Sequence, residues 1–122
     1  MRLLLDTSAL VRWHAGELVT EAVRTVREAD LVAVSAVSAW EIAIKRALGK
    51  LRFDDRVEEV TARYGFTALP VTLRHGDGLE DLPFHHPDPF DRLLIVQALE
   101  EGFTILTSDR AFEAYRVPIV LF

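Results

Sequence analysis

A chain of 122 residues, half of them hydrophobic and 27% charged, describes a soluble folded domain, and the lack of cysteine excludes disulfides and thiolate metal sites. The net charge of −5 argues against nucleic-acid binding through bulk positive charge, but is compatible with acids gathered in one metal-binding pocket. No apolar run approaches the ~20 residues of a membrane span, and Asp6 ends the Leu3–Leu5 run too early for a signal peptide, so a cytoplasmic protein with no membrane association is expected.

In chain order, Arg2–Leu5 reads as a buried strand ending in Asp6-Thr7-Ser8. Ala9–His14 reads as a short helix capped by Ser8 and broken at Gly16, and Thr20–Ala29 as a second helix capped by Thr20. Leu31–Val34 is a second buried strand. Ser35 or Ser38 then opens a helix that Gly49 stops, with Val37, Trp40, Ile44 and Leu48 as its buried stripe and Glu41 on the margin. Asp54–Tyr64 reads as a helix and Phe66–Val71 as a strand, which Pro70 assigns to an edge or an end. Thr72–Leu82 is Gly- and Asp-rich, which fits a helical turn and a loop. Asp88-Pro89 starts a helix that ends at Gly102, because Asp caps and Pro suits the first turn. Phe103–Thr107 is the next strand, Arg110–Tyr115 a short helix and Pro118–Phe122 a last strand. Alternating strands and helices call for one parallel sheet with helices on both faces, in a single domain over residues 1–122.

Four acids stand out. Leu94, Ile95 and Ala98 lie at i+3, i+4 and i+7 from Asp91, so Asp91 is on the core-facing stripe, where a carboxylate costs free energy unless something pairs with it. It is either the third residue of a capping box begun by Asp88 or part of a metal site. Asp6 is an Asx-turn acceptor or a ligand, Asp109 a helix cap or a ligand. Glu41 either pairs with Lys45 at i+4 or is a functional acid. In open parallel sheets, ligands bind beyond the carboxyl ends of the strands where strand order reverses. If strands 2–5 and 103–107 are neighbours there, Asp6 and Asp109 face one crevice. The tight Glu100–Gly102 connection brings the Asp91 helix N-terminus to the same edge, and the Glu41 helix leaves the second strand from that edge. Four carboxylates do not stay ionised in one small pocket without cations, and hard oxygen ligands select Mg²⁺ or Mn²⁺.

The Ser and Thr residues at 7, 8, 107 and 108 lack a base for nucleophilic catalysis, so they are expected to cap helices or to hydrogen-bond the acids or a phosphate. Lys45, Arg46, Lys50 and Arg52 form either a solvated face or a grip on a nucleic-acid backbone. Arg92 is a salt-bridge partner or a phosphate contact. Adjacent His85 and His86 read as ordinary loop, and His14 and His75 as surface or loop residues.

The segments LLLDTSALV, SAVSAWEIAIKRALGKL, HHPDPFDRLLIVQALEEG and ILTSDRAFEAYRVPIV resemble those of PIN-domain proteins. More narrowly they resemble the VapC toxins of bacterial and archaeal toxin–antitoxin pairs, over nearly the whole chain. The resemblance implies a three-layer α/β fold, with a parallel central sheet of about five strands flanked by helices. It implies an endoribonuclease dependent on Mg²⁺ or Mn²⁺, with Asp6, Glu41, Asp91 and Asp109 holding one or two cations. A metal-activated water would attack phosphorus in line, leaving a 5′-phosphate and a 3′-hydroxyl. Thr7, Ser108, Arg92 and Lys45 would contact RNA or support the acids. A homodimer and a VapB-type antitoxin whose tail blocks the pocket are further implications. Some members carry another acid just after the fourth; here Ala111 and Phe112 stand there, and Glu113 is the nearest acid.

Two other readings fit parts of the pattern. A receiver domain would want paired acids after the first strand and a late lysine, but Thr7 follows Asp6 and no lysine follows Lys50. A haloacid-dehalogenase-like phosphatase would want Asp-x-Asp, but position 8 is serine. From another class, a non-catalytic PIN-like module would hold RNA or a protein partner without turnover.

Overall fold

A computed structural model describes residues 1–122. Its centre is β1 (Arg2–Leu5), whose three leucines are fully buried. Parallel strands cover both of its edges: β2 (Leu31–Ser35) on one side and β4 (Thr104–Thr107) on the other. β3 (Thr67–Leu69) and β5 (Ile119–Leu121) complete the all-parallel sheet as its edges, in the order β3-β2-β1-β4-β5. Pro70 directly follows β3, so the missing N–H removes no ladder bond from the edge strand.

A parallel sheet buried on both faces needs apolar side chains on both, and the period-2 alternation supplies them. Leu3, Leu5, Val32, Val34 and Leu106 join one core with α1 (Thr7–Ala15), α2 (Thr20–Glu28) and α4 (Val57–Arg63). Leu4, Ala33 and Ile105 join the other, with Leu94, Ile95 and Ala98 of α6 (Pro89–Glu101). α3 (Ala36–Ala47) serves both, through Ile42 and Val37 respectively. This is the expected three-layer α/β arrangement. The chain runs outward from β1 to β3 and then crosses back beyond β1 to β4, so strand order reverses between β1 and β4. A crevice opens at their carboxyl ends.

Several local expectations change. Asp6, rather than Ser8, caps α1, its Oδ1 accepting from Ala9 N at 2.8 Å. Val19, rather than Thr20, occupies the α2 cap, with no side-chain bond. α4 is shorter than the helix expected over 54–64, because residues 51–56 are committed to a loop that buries Phe53. The segment over 72–82 is more helical than its glycines suggest: α5 (Leu73–Gly78) is followed by a 3-10 turn at Leu79–Asp81. A reciprocal Thr72–His75 capping box starts α5. That box draws His75 inside, where its Nε2 bonds Glu101 at 2.9 Å, so it is a core residue. His14, likewise, is tied to Tyr64 Oη and Asp54 O rather than standing alone.

The largest correction concerns α3. Trp40, Ile44 and Leu48, expected to be buried, are exposed (55%, 38% and 62%). The buried face is Val37, Ser38, Glu41 and Ile42. The helix is rotated so that Glu41, not the apolar row, points inward.

Candidate functional site

Each acid is delivered to the crevice by a backbone feature that its own sequence dictates. Asp6 follows the last residue of β1, and its N–H donates to Leu106 O of β4 at 3.1 Å, pinning it at the strand reversal. Capping α1 occupies Oδ1 and turns the rest of the carboxyl toward the crevice. Asp109 lies two residues beyond β4, its N–H donating to Thr107 Oγ1 at 3.0 Å. Its Oδ1 accepts from Ala111 N at 2.9 Å, capping a 3-10 segment at Arg110–Ala114, while Oδ2 faces inward. Both residues therefore cap a helical segment and line the crevice at the same time.

Asp91 is placed by an incomplete cap. Asp88 Oδ1 accepts from Phe90 N and Asp91 N, with Pro89 in the first turn and Gly102 closing the helix at φ 73°. A capping box would also need Asp91 to accept from Asp88 N. That N–H donates instead to His86 Nδ1 at 3.1 Å. The Asp91 carboxyl is thereby left to face the crevice. Glu41 sits one turn into α3, which Ser35 caps, and its Oε2 accepts from Lys45 Nζ at 2.6 Å. Oε1 is buried with no partner.

These four acids, with Thr7, Ser8, Lys45, Asp88, Ser108 and two apolar side chains, Val11 and Leu51, line a cavity of about 340 Å³. The electrostatics follow from crowding. Burial pushes Asp6 up to about 6, against the pull of the Thr107 hydroxyl and Ala9 N–H, and the charges of Glu41 and Asp109 add to the rise. Asp91 rises to about 7, first through burial and then through the charges of Asp88 and Asp6. Asp109 is held below the usual carboxylate range by the Ala111 N–H and then by His86. Hydrogen bonding to Glu41 raises Lys45.

Lys45, Thr7 and Ser108 lie on the cavity wall. Thr7 Oγ1 also donates to the buried Ser38 Oγ at 3.0 Å. Arg92 does not fit either expectation. Its guanidinium donates to the carbonyls of Leu79, Leu82 and Pro83 and to Tyr115 Oη, and lies over the Phe84 ring, so it fastens the 79–84 segment rather than an acid or a phosphate. Glu113 pairs with Arg110 outside the cavity. Sequence reasoning missed His86, which is buried with its Nε2 at 2.8 Å from Asp109 Oδ2 and 3.3 Å from Asp91 Oδ2. It also missed Asp88 as a cavity residue.

The PIN-domain profile matches residues 3–118, which decides the family. The chain is a PIN-domain protein. Ribonuclease VapC22 of Mycobacterium tuberculosis is 30% identical over 125 residues, covering 94% of this chain and 92% of that protein. Among solved structures, VapBC2 from Rickettsia felis, bound to a promoter DNA fragment, superposes on this PIN domain with a TM-score of 0.73. It has 12% identity and covers 99% of this chain and 98% of that one. A toxin–antitoxin complex from Klebsiella pneumoniae gives a TM-score of 0.69 at 14% identity, over 97% of this chain and 95% of that one. These structural likenesses establish the PIN fold.

Proposed function

We propose that this PIN domain, acting as one unit over residues 1–122, is the toxin of a type II toxin–antitoxin pair and a divalent-cation-dependent endoribonuclease. The observation that carries the reading is the buried, unpartnered Oε1 of Glu41 in a cavity shared with Asp6, Asp91 and Asp109. A buried carboxylate oxygen without a donor calls for a positive partner, and Lys45 already satisfies the other oxygen. The donor set is all oxygen, which suits Mg²⁺ or Mn²⁺. Asp6, Glu41, Asp91 and Asp109 would hold the cation. When bound, it supplies an acidified water and neutralises charge on the leaving oxygen of a phosphodiester.

The chain's own residues do the rest. Lys45 holds Glu41 Oε2 at 2.6 Å, and stands on the cavity wall where a phosphate oxygen would arrive. Thr7 and Ser108 offer hydroxyls on the same wall, and Val11 and Leu51 keep part of it dry. VapC22 and the two toxin–antitoxin structures support RNA as substrate and a VapB-type antitoxin as partner. The exposed row of Trp40 and Ile44 on α3 and Leu48 at its C-cap is an apolar surface suited to burial in a homodimer.

Expression in a host tests the biological side. The native chain arrests growth and Asp6→Asn does not, with cleaved RNAs carrying 5′-phosphates. Arrest that persists in Asp6→Asn would refute the assignment.

A further inference from the structure

We propose that His86 is a positioning residue that holds Asp91 and Asp109 together as one cation-binding edge, through a single N–H shared between their carboxylates. This rests on the cation-site reading above. The two acids come from different elements, the first turn of α6 and the exit of β4, and both aim an Oδ2 at the same ring nitrogen. Asp109 is half-exposed (44%), and apart from its cap, His86 is the hydrogen-bond partner of its side chain. Without that donor, no other hydrogen bond would hold its Oδ2 toward Asp91.

The ring is built to be that donor. Asp88 N–H points at Nδ1 from 3.1 Å, so Nδ1 presents its lone pair and the hydrogen resides on Nε2. Nε2 then reaches Asp109 Oδ2 at 2.8 Å and Asp91 Oδ2 at 3.3 Å. The same tautomer excludes His86 as a metal ligand, although its Nε2 and the two carboxylates lie within 4.8 Å of one another. Its Nε2 lone pair is occupied by the hydrogen.

The ring cannot drift. Its edge meets the buried Phe112 ring, 5.7 Å between centroids at 86°. Its backbone N–H donates to Tyr115 Oη at 2.9 Å, and the same oxygen takes the His85 N–H and an Arg92 bond. Arg92 fixes the preceding carbonyls at Leu79, Leu82 and Pro83. The arginine after Asp91 and the tyrosine near the end of the chain therefore serve one purpose, which is to present this imidazole. A carboxylate keeps several lone-pair sites, so each Oδ2 can accept the N–H and still face a cation.

The test is Mn²⁺ binding by the purified chain without RNA, read from the EPR signal of free Mn²⁺, with folding checked by circular dichroism. The native chain is expected to bind saturably and Asp6→Asn to lose binding. His86→Ala is expected to weaken Mn²⁺ affinity roughly 10–100-fold. His86→Gln, whose amide N–H reaches the Nε2 position, is expected to recover most of it. Should the alanine variant unfold, Gln against Met at position 86 decides, because the two have similar length and only Gln has the N–H. In ¹⁵N spectra, His86 is expected to remain protonated at Nε2 on saturation with Mg²⁺. Native affinity in His86→Ala or His86→Met, or a flip to Nδ1–H with Mg²⁺, would overturn the proposal and leave the acid site intact. No saturable Mn²⁺ binding by the native chain would overturn the site reading, and the proposal with it.

Discussion

Asp91 and Asp6 are carboxylates whose folded environment resists ionisation, and this has a measurable sign. An acid whose folded pKa exceeds its unfolded value binds more protons in the folded state, so stability falls as pH rises between the two values. For Asp6 the window runs from 3.8 to about 6, and for Asp91 from 3.8 to about 7. Asp109 is shifted the other way, so its contribution is present above 3.8 and is lost as pH falls below it. The metal-free protein should therefore lose stability as pH climbs from about 4 to 7, on the order of 3 kcal/mol from Asp6 alone. Asp6→Asn should flatten that slope, and saturating Mg²⁺ should do the same. Urea titrations across this range check it, and a native chain more stable at pH 7 than at pH 4 without cation would contradict it. At the same scale, Asp91→Asn should keep the fold, because Asp88 supplies the cap of α6. It should lower RNA cleavage by roughly 10²–10³-fold or more.

Among the elements, the segment ending in Asp88 and α6 form a single device. Tyr115 Oη gathers three bonds from it, so Tyr115→Phe should leave two partly buried N–H groups unpaired and destabilise by about 1–3 kcal/mol. Denaturant unfolding measures this, and a neutral outcome would show that the 79–88 loop is held by other contacts. α6 was legible in the sequence because both ends carry strong local signals, Asp-Pro and Gly, around an apolar period. The three inner strands were legible because β1, β2 and β4 are short apolar runs that end at polar residues. α3 was misread in orientation. Its most apolar row is not its buried one, because the crevice claims the face that carries Glu41 and Ser38. His86 left no periodic trace at all. Its burial depends on Phe112 and Tyr115, nearly thirty residues further along, which no local pattern reveals.

For the whole molecule, strand order is what gathers four scattered acids around one cavity. Reversal between β1 and β4 sets Asp6 beside Asp109, and the helices entering from that edge add Glu41 and Asp91. The same architecture leaves Trp40, whose ring meets Phe90 edge-on, and Leu48 largely exposed on the outside. In a homodimer they would be covered, so Trp40→Ser with Leu48→Ser should shift the chain toward monomer in light scattering while leaving the pocket acids in place. A native chain that is monomeric at micromolar concentration would refute the dimer. The most direct test of the central claim is cleavage of a structured RNA pool by the purified native chain, with Mg²⁺ or Mn²⁺ and with chelator, beside Asp6→Asn. Cleavage is expected with cation, none with chelator and none in the variant. Cleavage that survives chelation or the substitution, or no turnover with either cation, would contradict it.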